Sequence, residues 1–469
     1  MNTQTKTLKR ELSLLNVWAL ALGCIIGSGA FILPGSTFLP GGGPAGTAIA
    51  ISAAAIIMII IAFNYDFMIQ HYPAAGGEFT YAKEAFGRKN AFVCSWFLVF
   101  SYLVIVPQNA AALAFISRSL IGQVFQTGFH YRIAGYDIYA GEVVLAVFAL
   151  VFFGLLTIRG VKITGIIQTC LVFALIGGVA VLFIAAVMSP RASLGNLSPA
   201  FSPETSRGGG VLRILAVTPW AFVGFDTIPQ SAEEFKFSRT KTKYLMCFSI
   251  LFGAAIYIII NTITASVIPA GYASWAEYIA DIPKMEGIAS LPAFNVFYEL
   301  LGGNGIIFLG ISVLGAVLSC IIGFYMAASR LLFSMARDNF LPEWFSGLHS
   351  KYRTPNNAIV FIMLVSMAAP FFGRTVWGWI VDMSSVGAAA GYGYTSAAAL
   401  KLAKTESNTR IMFTGALGVV MSVIFLVLLL IPISGLNCSL SSESYICLSV
   451  WVILGVIFSA INRKANSAE

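Results

Sequence analysis

The sequence predicts an all-α polytopic membrane protein of about twelve spanning helices, and three observations carry that prediction. Of 469 residues, 58% are hydrophobic and only 10% are charged, where an ordinary soluble domain carries about 25% charged residues. So few charges cannot build a water-facing surface, and lipid must supply much of the solvent. The apolar residues fall in runs of about 20, the length a helix needs to cross a bilayer core. The basic residues sit in short clusters between those runs, as in the cytoplasmic loops of membrane proteins. The net charge of +8 therefore does not point to nucleic acid.

The runs lie at about 14–37, 45–70, 91–121, 140–158, 163–188, 210–234, 242–269, 305–337, 356–372, 376–402, 411–432 and 444–462. The first begins near Leu14, exceeds the apolar core of a secretory signal and lacks a small-residue cleavage site, so no cleavable signal is expected. With the N-terminus inside, the inner loops collect the basic clusters at 6–10 (Lys6 among them), 83–89, 159–162, 236–243, 330–353, 401–410 and 463–464. That bias predicts cytoplasmic N- and C-termini and an even number of spans; the expected location is a plasma or inner membrane. All of 1–469 reads as one membrane domain: helices 1–6 within 14–234, a second set of five within 210–402, and an accessory pair within 411–462.

The longest outer connection, about 270–304, carries Glu277, Asp281, Lys284, Glu286 and Glu299 and is expected to hold short surface helices. Asn196-Leu197-Ser198 and Asn437-Cys438-Ser439 are outward sequons, relevant only in a eukaryotic host. Five cysteines (Cys24, Cys94, Cys170, Cys247, Cys320) lie in or beside spans as small hydrophobes. Cys438 and Cys447 flank a polar loop and either pair on an oxidising side or stay free. The three histidines fall in loops, and no spacing suits a metal or a cofactor.

Two spans are interrupted. The first contains Gly23, Gly27 and Gly29 within seven residues, each costing about 1 kcal/mol relative to alanine inside a helix. The sixth places Gly224 and Asp226 between Pro219 and Pro229, and proline removes an amide donor and clashes with the preceding turn. Breaks at corresponding positions of two five-helix halves point to an inverted-repeat transporter. Free amides at a half-helix N-terminus suit a carboxylate, and free carbonyls at a half-helix end suit an ammonium. Together they match a zwitterionic amino acid. The competing reading takes the glycines as close-packing positions between helices.

Asp226 is the sharpest single residue. A carboxylate near the bilayer centre costs at least about 2.5–3.5 kcal/mol, so it is a candidate proton carrier or partner for a cation. It also suits the N-cap of the second half of its broken span. Pro107, Gln108 and Asn109 interrupt the third span and are candidate cavity-lining residues. Ser319 is either a sodium ligand or bonded to its own helix carbonyl. Asp66 and Arg330 near the inner ends fit gating or interfacial pairs. The run 384–394 offers a close-packing surface, with Tyr392 and Tyr394 able to reach the cavity.

At these residues the sequence resembles the amino acid–polyamine–organocation superfamily. The stretches G-C-I-I-G-S-G-A-F at 23–31 and W-A-F-V-G-F-D at 220–226, with A-E-E at 232–234, resemble its broken-helix signatures. Residues 73–87 resemble its inner loop after the second span, and 329–342 followed by Thr354-Pro355 the end of its eighth span. The resemblance implies a leucine-transporter-like fold of five plus five inverted helices with two accessory ones. It implies that Ser28 and Gly29, beside Gly27, bind a substrate carboxylate. The carbonyls of Ile25, Trp220 and Val223 would take its ammonium. Trp220 would also gate the site, and Asp226 would stand at an acidic position tied to proton-sensitive gating. Proton-symporting relatives often carry a lysine in the fifth span; here the matching stretch is F-A-L-I-G at 173–177, which favours exchange or coupling through Asp226.

The leading expectation is thus a permease, symporter or antiporter, for an amino acid or related amine, with protons as the candidate coupling ion. A polyamine or amino-alcohol substrate and a transport-inactive sensor on the same fold are the alternatives. No catalytic residues are expected, since no H-E-x-x-H or nucleophile constellation appears. Substrate identity, coupling and oligomeric state are not readable from the chain.

Overall fold

The computed structural model describes residues 7–466 other than 286, 435 and 437, without the side chains of 374, 375, 377 and 461–466. Lys6, Glu286 and Asn437, and the side chains of Arg463 and Lys464, lie outside the described residues.

Helix falls on every apolar run. Helix α1 (Leu14–Ile25) starts at a capping box, Ser13 Oγ accepting the Asn16 amide at 3.2 Å. It is followed by the short α2 (Gly29–Leu33) and by α3 (Leu39–His71), which kinks at Gly43-Pro44. Helix α4 (Glu78–Phe86) lies across to α5 (Arg88–Ile121). Then come α6 (Ala140–Ile158), α7 (Val161–Met188), α8 (Arg207–Ala221), the single turn α9 (Thr227–Gln230) and α10 (Thr242–Ser266). Two short helices, α11 (Trp275–Asp281) and α12 (Pro292–Leu301), precede α13 (Gly303–Arg337). The chain continues through α14 (Asn356–Met367), α15 (Gly373–Thr405), α16 (Thr409–Leu430) and α17 (Ser442–Asn466).

Among the described residues, eight helical stretches are long and apolar enough to cross a bilayer. Their outer faces are apolar too. On α6, Val144, Phe148, Phe152 and Leu155 are exposed while Ala146, Ala149 and Leu150 pack inward. An apolar stripe turned outward is stable in lipid and not in water. The protein is an integral, polytopic, almost wholly helical membrane protein. At its centre stands α13, buried throughout 319–336, with α1, α5 and α7 against it.

Several expectations need refinement or correction. Residues 130–139 form an antiparallel hairpin, β1 (His130–Ile133) with β2 (Tyr136–Tyr139), a local addition to an otherwise all-α membrane fold. His71 and His130 are not in loops: His71 ends α3, where its Nε2 meets Glu406 at 2.9 Å, and His130 opens β1. The 270–304 connection holds short helices, exposed on one face at Glu277 of α11 and Tyr298 of α12 and packed on the other. Trp275 of α11 packs on Leu39 and Ala265, and Phe294 and Phe297 of α12 join the main core. Cys438 and Cys447 are free thiols, the former buried with its Sγ 3.4 Å from the Leu428 carbonyl. Cys170, on α7, is exposed rather than packed. Asn196 is engaged, its Nδ2 donating to the Ser266 carbonyl at 2.7 Å.

Candidate substrate site

The two breaks occur where glycine and proline predicted them, and they abut. Residues 26–28 leave helical geometry between α1 and α2, and 222–226 do so between α8 and α9. Gly224 has φ 150°, a conformation side chains rarely adopt, and a Cβ there would stand 2.6 Å from the Ile25 backbone nitrogen. One break is therefore seated on the other. The Tyr257 hydroxyl of α10 spans them, donating to the Ile25 carbonyl at 2.9 Å with the Ala221 carbonyl at 3.4 Å. On the far side, the Ser28 amide donates to Asn109 Oδ1 at 3.1 Å. Asn109 in turn donates to the Ile105 carbonyl at 3.0 Å and faces Cys320 Sγ at 3.2 Å.

These groups enclose a cavity of about 20 Å³, lined by Ile25, Gly27, Ser28, Gly29, Asn109, Trp220 and Val223 together with Cys24, Ile105, Tyr257 and Cys320. That space holds about one water molecule. A second cavity of about 280 Å³ adjoins it, sharing Ser28, Gly29 and Trp220 and reaching Tyr136 and Ile138 of the hairpin. The Trp220 ring divides the two: a Cβ on Gly29 would come within 2.8 Å of its Cη2. Gln108 lines the larger cavity, its Oε1 without a hydrogen-bond partner. Cys24 and Cys320 were expected only to pack, and Tyr257 gave no signal of its own in the sequence.

Asp226 lines neither cavity. It holds the N-cap position of α9 without capping it. Instead Oδ1 accepts the Gly224 amide at 2.6 Å and Oδ2 the Tyr102 hydroxyl at 2.8 Å. Tyr392 stacks on Phe225 with ring centroids 5.4 Å apart, and Tyr394 lies towards Asn90. Neither reaches a cavity, contrary to expectation. The 384–394 run does pack closely, a Cβ on Gly387 meeting the Phe97 carbonyl at 2.5 Å. Ser319 bonds its own helix at the Ala316 carbonyl (3.0 Å), with the Gly23 carbonyl at 3.4 Å.

In the fifth-span stretch 173–177, Phe173 is half-exposed and its ring lies 6.3 Å from that of Trp18 on α1. Helix α7 also meets α1 one to two turns earlier, through Gln168, whose Nε2 donates to the Ala19 carbonyl at 3.3 Å, and through Thr169, whose hydroxyl oxygen accepts Asn16 Nδ2 at 3.0 Å.

A cluster of ion pairs joins α13 to the segment that follows α9. Arg330 is fully buried and forks onto Glu234 at 3.0 and 3.2 Å. Arg337 meets Glu233 at 2.7 Å, and the same Glu233 oxygen accepts the Ala75 amide at 2.9 Å. Asp66 pairs with neither arginine; it accepts the Thr242 hydroxyl (2.5 Å) and the Lys243 amide (2.9 Å) at the start of α10. The strand-like segment before α1 bridges Leu12 to Phe235.

A sequence profile of the amino acid permease family matches residues 12–458. The chain belongs to that family. The permease is similar to the branched-chain amino acid permease BcaP of Bacillus subtilis, 27% identical over 377 residues, covering 77% of this chain and 74% of the relative. It is similar to the serine/threonine exchanger SteT of the same species, 24% identical over 369 residues and 78% of either chain. Over 99% of its length it is also 23% identical to the methylthioribose transporter of B. subtilis, covering 96% of that protein. These are transporters of the amino acid–polyamine–organocation superfamily, so the permease is a membrane transporter of small amino-acid-like solutes and not an enzyme.

Proposed function

We propose that the permease moves an amino acid or related amine across a plasma or inner membrane by alternating access. The observation that carries this reading is the shared lining: seven of the residues read from the sequence as substrate-binding surround one cavity at two abutting helix breaks. A larger cavity adjoins on one side, and a buried ion pair shuts the other. The substrate carboxylate displaces Asn109 Oδ1 from the Ser28 amide and joins the Gly29 amide at the positive end of α2. Its ammonium meets the Ile25, Trp220 and Val223 carbonyls. Trp220 closes over Gly29 as the gate, and Gln108 reads the part of the substrate that extends into the larger cavity.

On this reading α1/α2, α3, α5, α6 and α7 form one repeat, and α8/α9, α10, α13, α14 and α15 its inverted partner. Helices α16 and α17 are accessory. That makes twelve spans with both termini on the basic, cytoplasmic side, and an outward-facing state with the inner end closed. Asp226 touches the substrate site only through Gly224, which suits a coupling group. With no lysine between Ile163 and Met188 of the fifth span, exchange and coupling through Asp226 are the two modes that fit.

Uptake of labelled amino acids into proteoliposomes tests this, with a proton gradient, a sodium gradient or internal unlabelled substrate as the driving condition. Flux needing internal substrate alone makes the permease an exchanger. Proton-driven flux lost in Asp226→Asn makes it a symporter coupled there. Binding of amino acids without flux under any condition overturns the transport reading in favour of a sensor.

A further inference from the structure

A second carboxylate, which sequence reasoning passed over, stands beside Asp226. Glu78 opens α4 directly after Gly76 and Gly77, outside the long apolar stretches, yet it is wholly buried. Gly77 has φ 40°, and a Cβ on it would crowd Gln230 Nε2 at 3.0 Å, so this glycine lets α4 dock against α9. Glu78 Oε1 accepts the Tyr65 hydroxyl at 2.9 Å and Oε2 accepts Gln230 Nε2 at 2.6 Å. The Tyr102 hydroxyl lies 2.8 Å from Asp226 Oδ2 and 3.4 Å from Glu78 Oε1, so one hydroxyl touches both acids.

The other titratable groups facing the pair, Tyr65, Tyr81, Tyr102, Cys94 and Tyr392 with Cys24 beside Asp226, are all neutral unless they lose a proton. Among the described residues no lysine, arginine or histidine forms an ion pair with either carboxylate. Two bare anions this close in a dry core repel without compensation. Tyr102 has one hydrogen, which the shorter contact assigns to Asp226. The remaining contact with Glu78 is satisfied when Glu78 itself donates. Burial first, and the Asp226 charge second, push the Glu78 carboxyl above the usual carboxylate range.

Resting on the transport reading above and deepening it, we propose that Glu78 and Asp226 form one proton site, holding a single proton on Glu78 while the inner end is closed. Glu78 leans on α9 through Gln230. Its neighbour Ala75 is fastened to the closed end by Glu233 and by Ser334, whose hydroxyl donates to the Ala75 carbonyl at 2.7 Å. Release of the proton to water on the basic side leaves two anions facing each other. Their repulsion drives α4 from α9 and loosens that end. The site therefore links proton release to inward opening.

Infrared difference spectra of the purified permease, recorded across a pH series, test the site without any transport assay. The expected result is a protonated-carboxyl band at neutral pH that Glu78→Gln abolishes. Asp226→Asn keeps the band but moves its midpoint down by about one pH unit or more, because the like charge is gone. Tyr102→Phe retains both acids and supplies a second reading if Glu78→Gln fails to fold: its band shifts while the protein remains monodisperse. A band untouched by Glu78→Gln, a midpoint unmoved in Asp226→Asn, or a Tyr102→Phe spectrum identical to wild type overturns the proposal. Because the spectra need no substrate, loss of the proton site and loss of the transport reading are separately visible.

Discussion

The two helix breaks touch at Gly224 but are furnished differently. The first, at 26–28, is short and carries no ionisable side chain, and its Gly27 and Ser28 line cavities. The second, at 222–226, is longer, and its one carboxylate turns away from both cavities onto Gly224 and Tyr102. On the proposed reading the first break presents backbone dipoles to a solute, while the second turns a charge into protein. Under that proposal the substrate is held by fixed dipoles while protonation acts on the helix behind them.

The largest effect is expected where the breaks meet. Gly224→Ala forces a side chain into φ 150° and against the Ile25 nitrogen. It should cost about 4 kcal/mol or more, the range of strain compounded by overpacking. Thermal unfolding in detergent would read this as a collapse in melting temperature, and a wild-type melt would mean the breaks are not in contact. Next comes the floor beneath the second break. Arg330→Met leaves Glu234 buried and alone, a loss of about 3–5 kcal/mol, whereas the double change with Glu234→Met should recover most of it. Equal melting of the single and double variants would remove the ion pair from the account.

A crossed pair sharpens the comparison further. Gly29→Ala crowds Trp220 and should weaken substrate affinity by roughly tenfold or more. Asp226→Asn should instead abolish dependence on a proton gradient while changing affinity far less. Affinity and coupling measured on the same proteoliposomes would show whether the two breaks divide these tasks; a Gly29→Ala effect on coupling alone would contradict it. The smallest expected effect is Tyr257→Phe, which removes one hydrogen bond from the Ile25 carbonyl, about 1 kcal/mol. A several-fold change in the uptake KM is the corresponding measurement.

The fold was legible wherever a one-dimensional signal exists. The fourth run, 140–158, coincides with α6 from end to end, because bilayer length and composition set its limits. Both breaks were legible because glycine and proline mark backbone departures locally. The proton site was not. Glu78, Tyr65, Tyr102, Gln230 and Asp226 come from α4, α3, α5, α9 and the break before it, and their meeting depends on tertiary register, which no periodicity encodes. The same blindness hides how α7 meets α1, where Gln168 bonds the Ala19 carbonyl and Phe173, a turn or two along, lies beside Trp18. One local hint for Glu78 existed: a glutamate after two glycines, before an apolar and aromatic helix start, is an odd place for a solvated charge.

The segment ahead of α1 gives the closed end a further property. The Glu11 and Leu12 amides both donate to the Glu234 carbonyl at 3.0 Å, and the Lys236 amide returns to the Leu12 carbonyl at 3.0 Å. Farther up the segment, Arg353 reaches the Thr7 carbonyl at 3.3 Å. The thread leading into one broken helix is thereby stitched to the thread leaving the other. If the permease works by the alternating access proposed above, inward opening has to unpick that seam, so whatever grips or tugs those first residues acts as a hand on the latch.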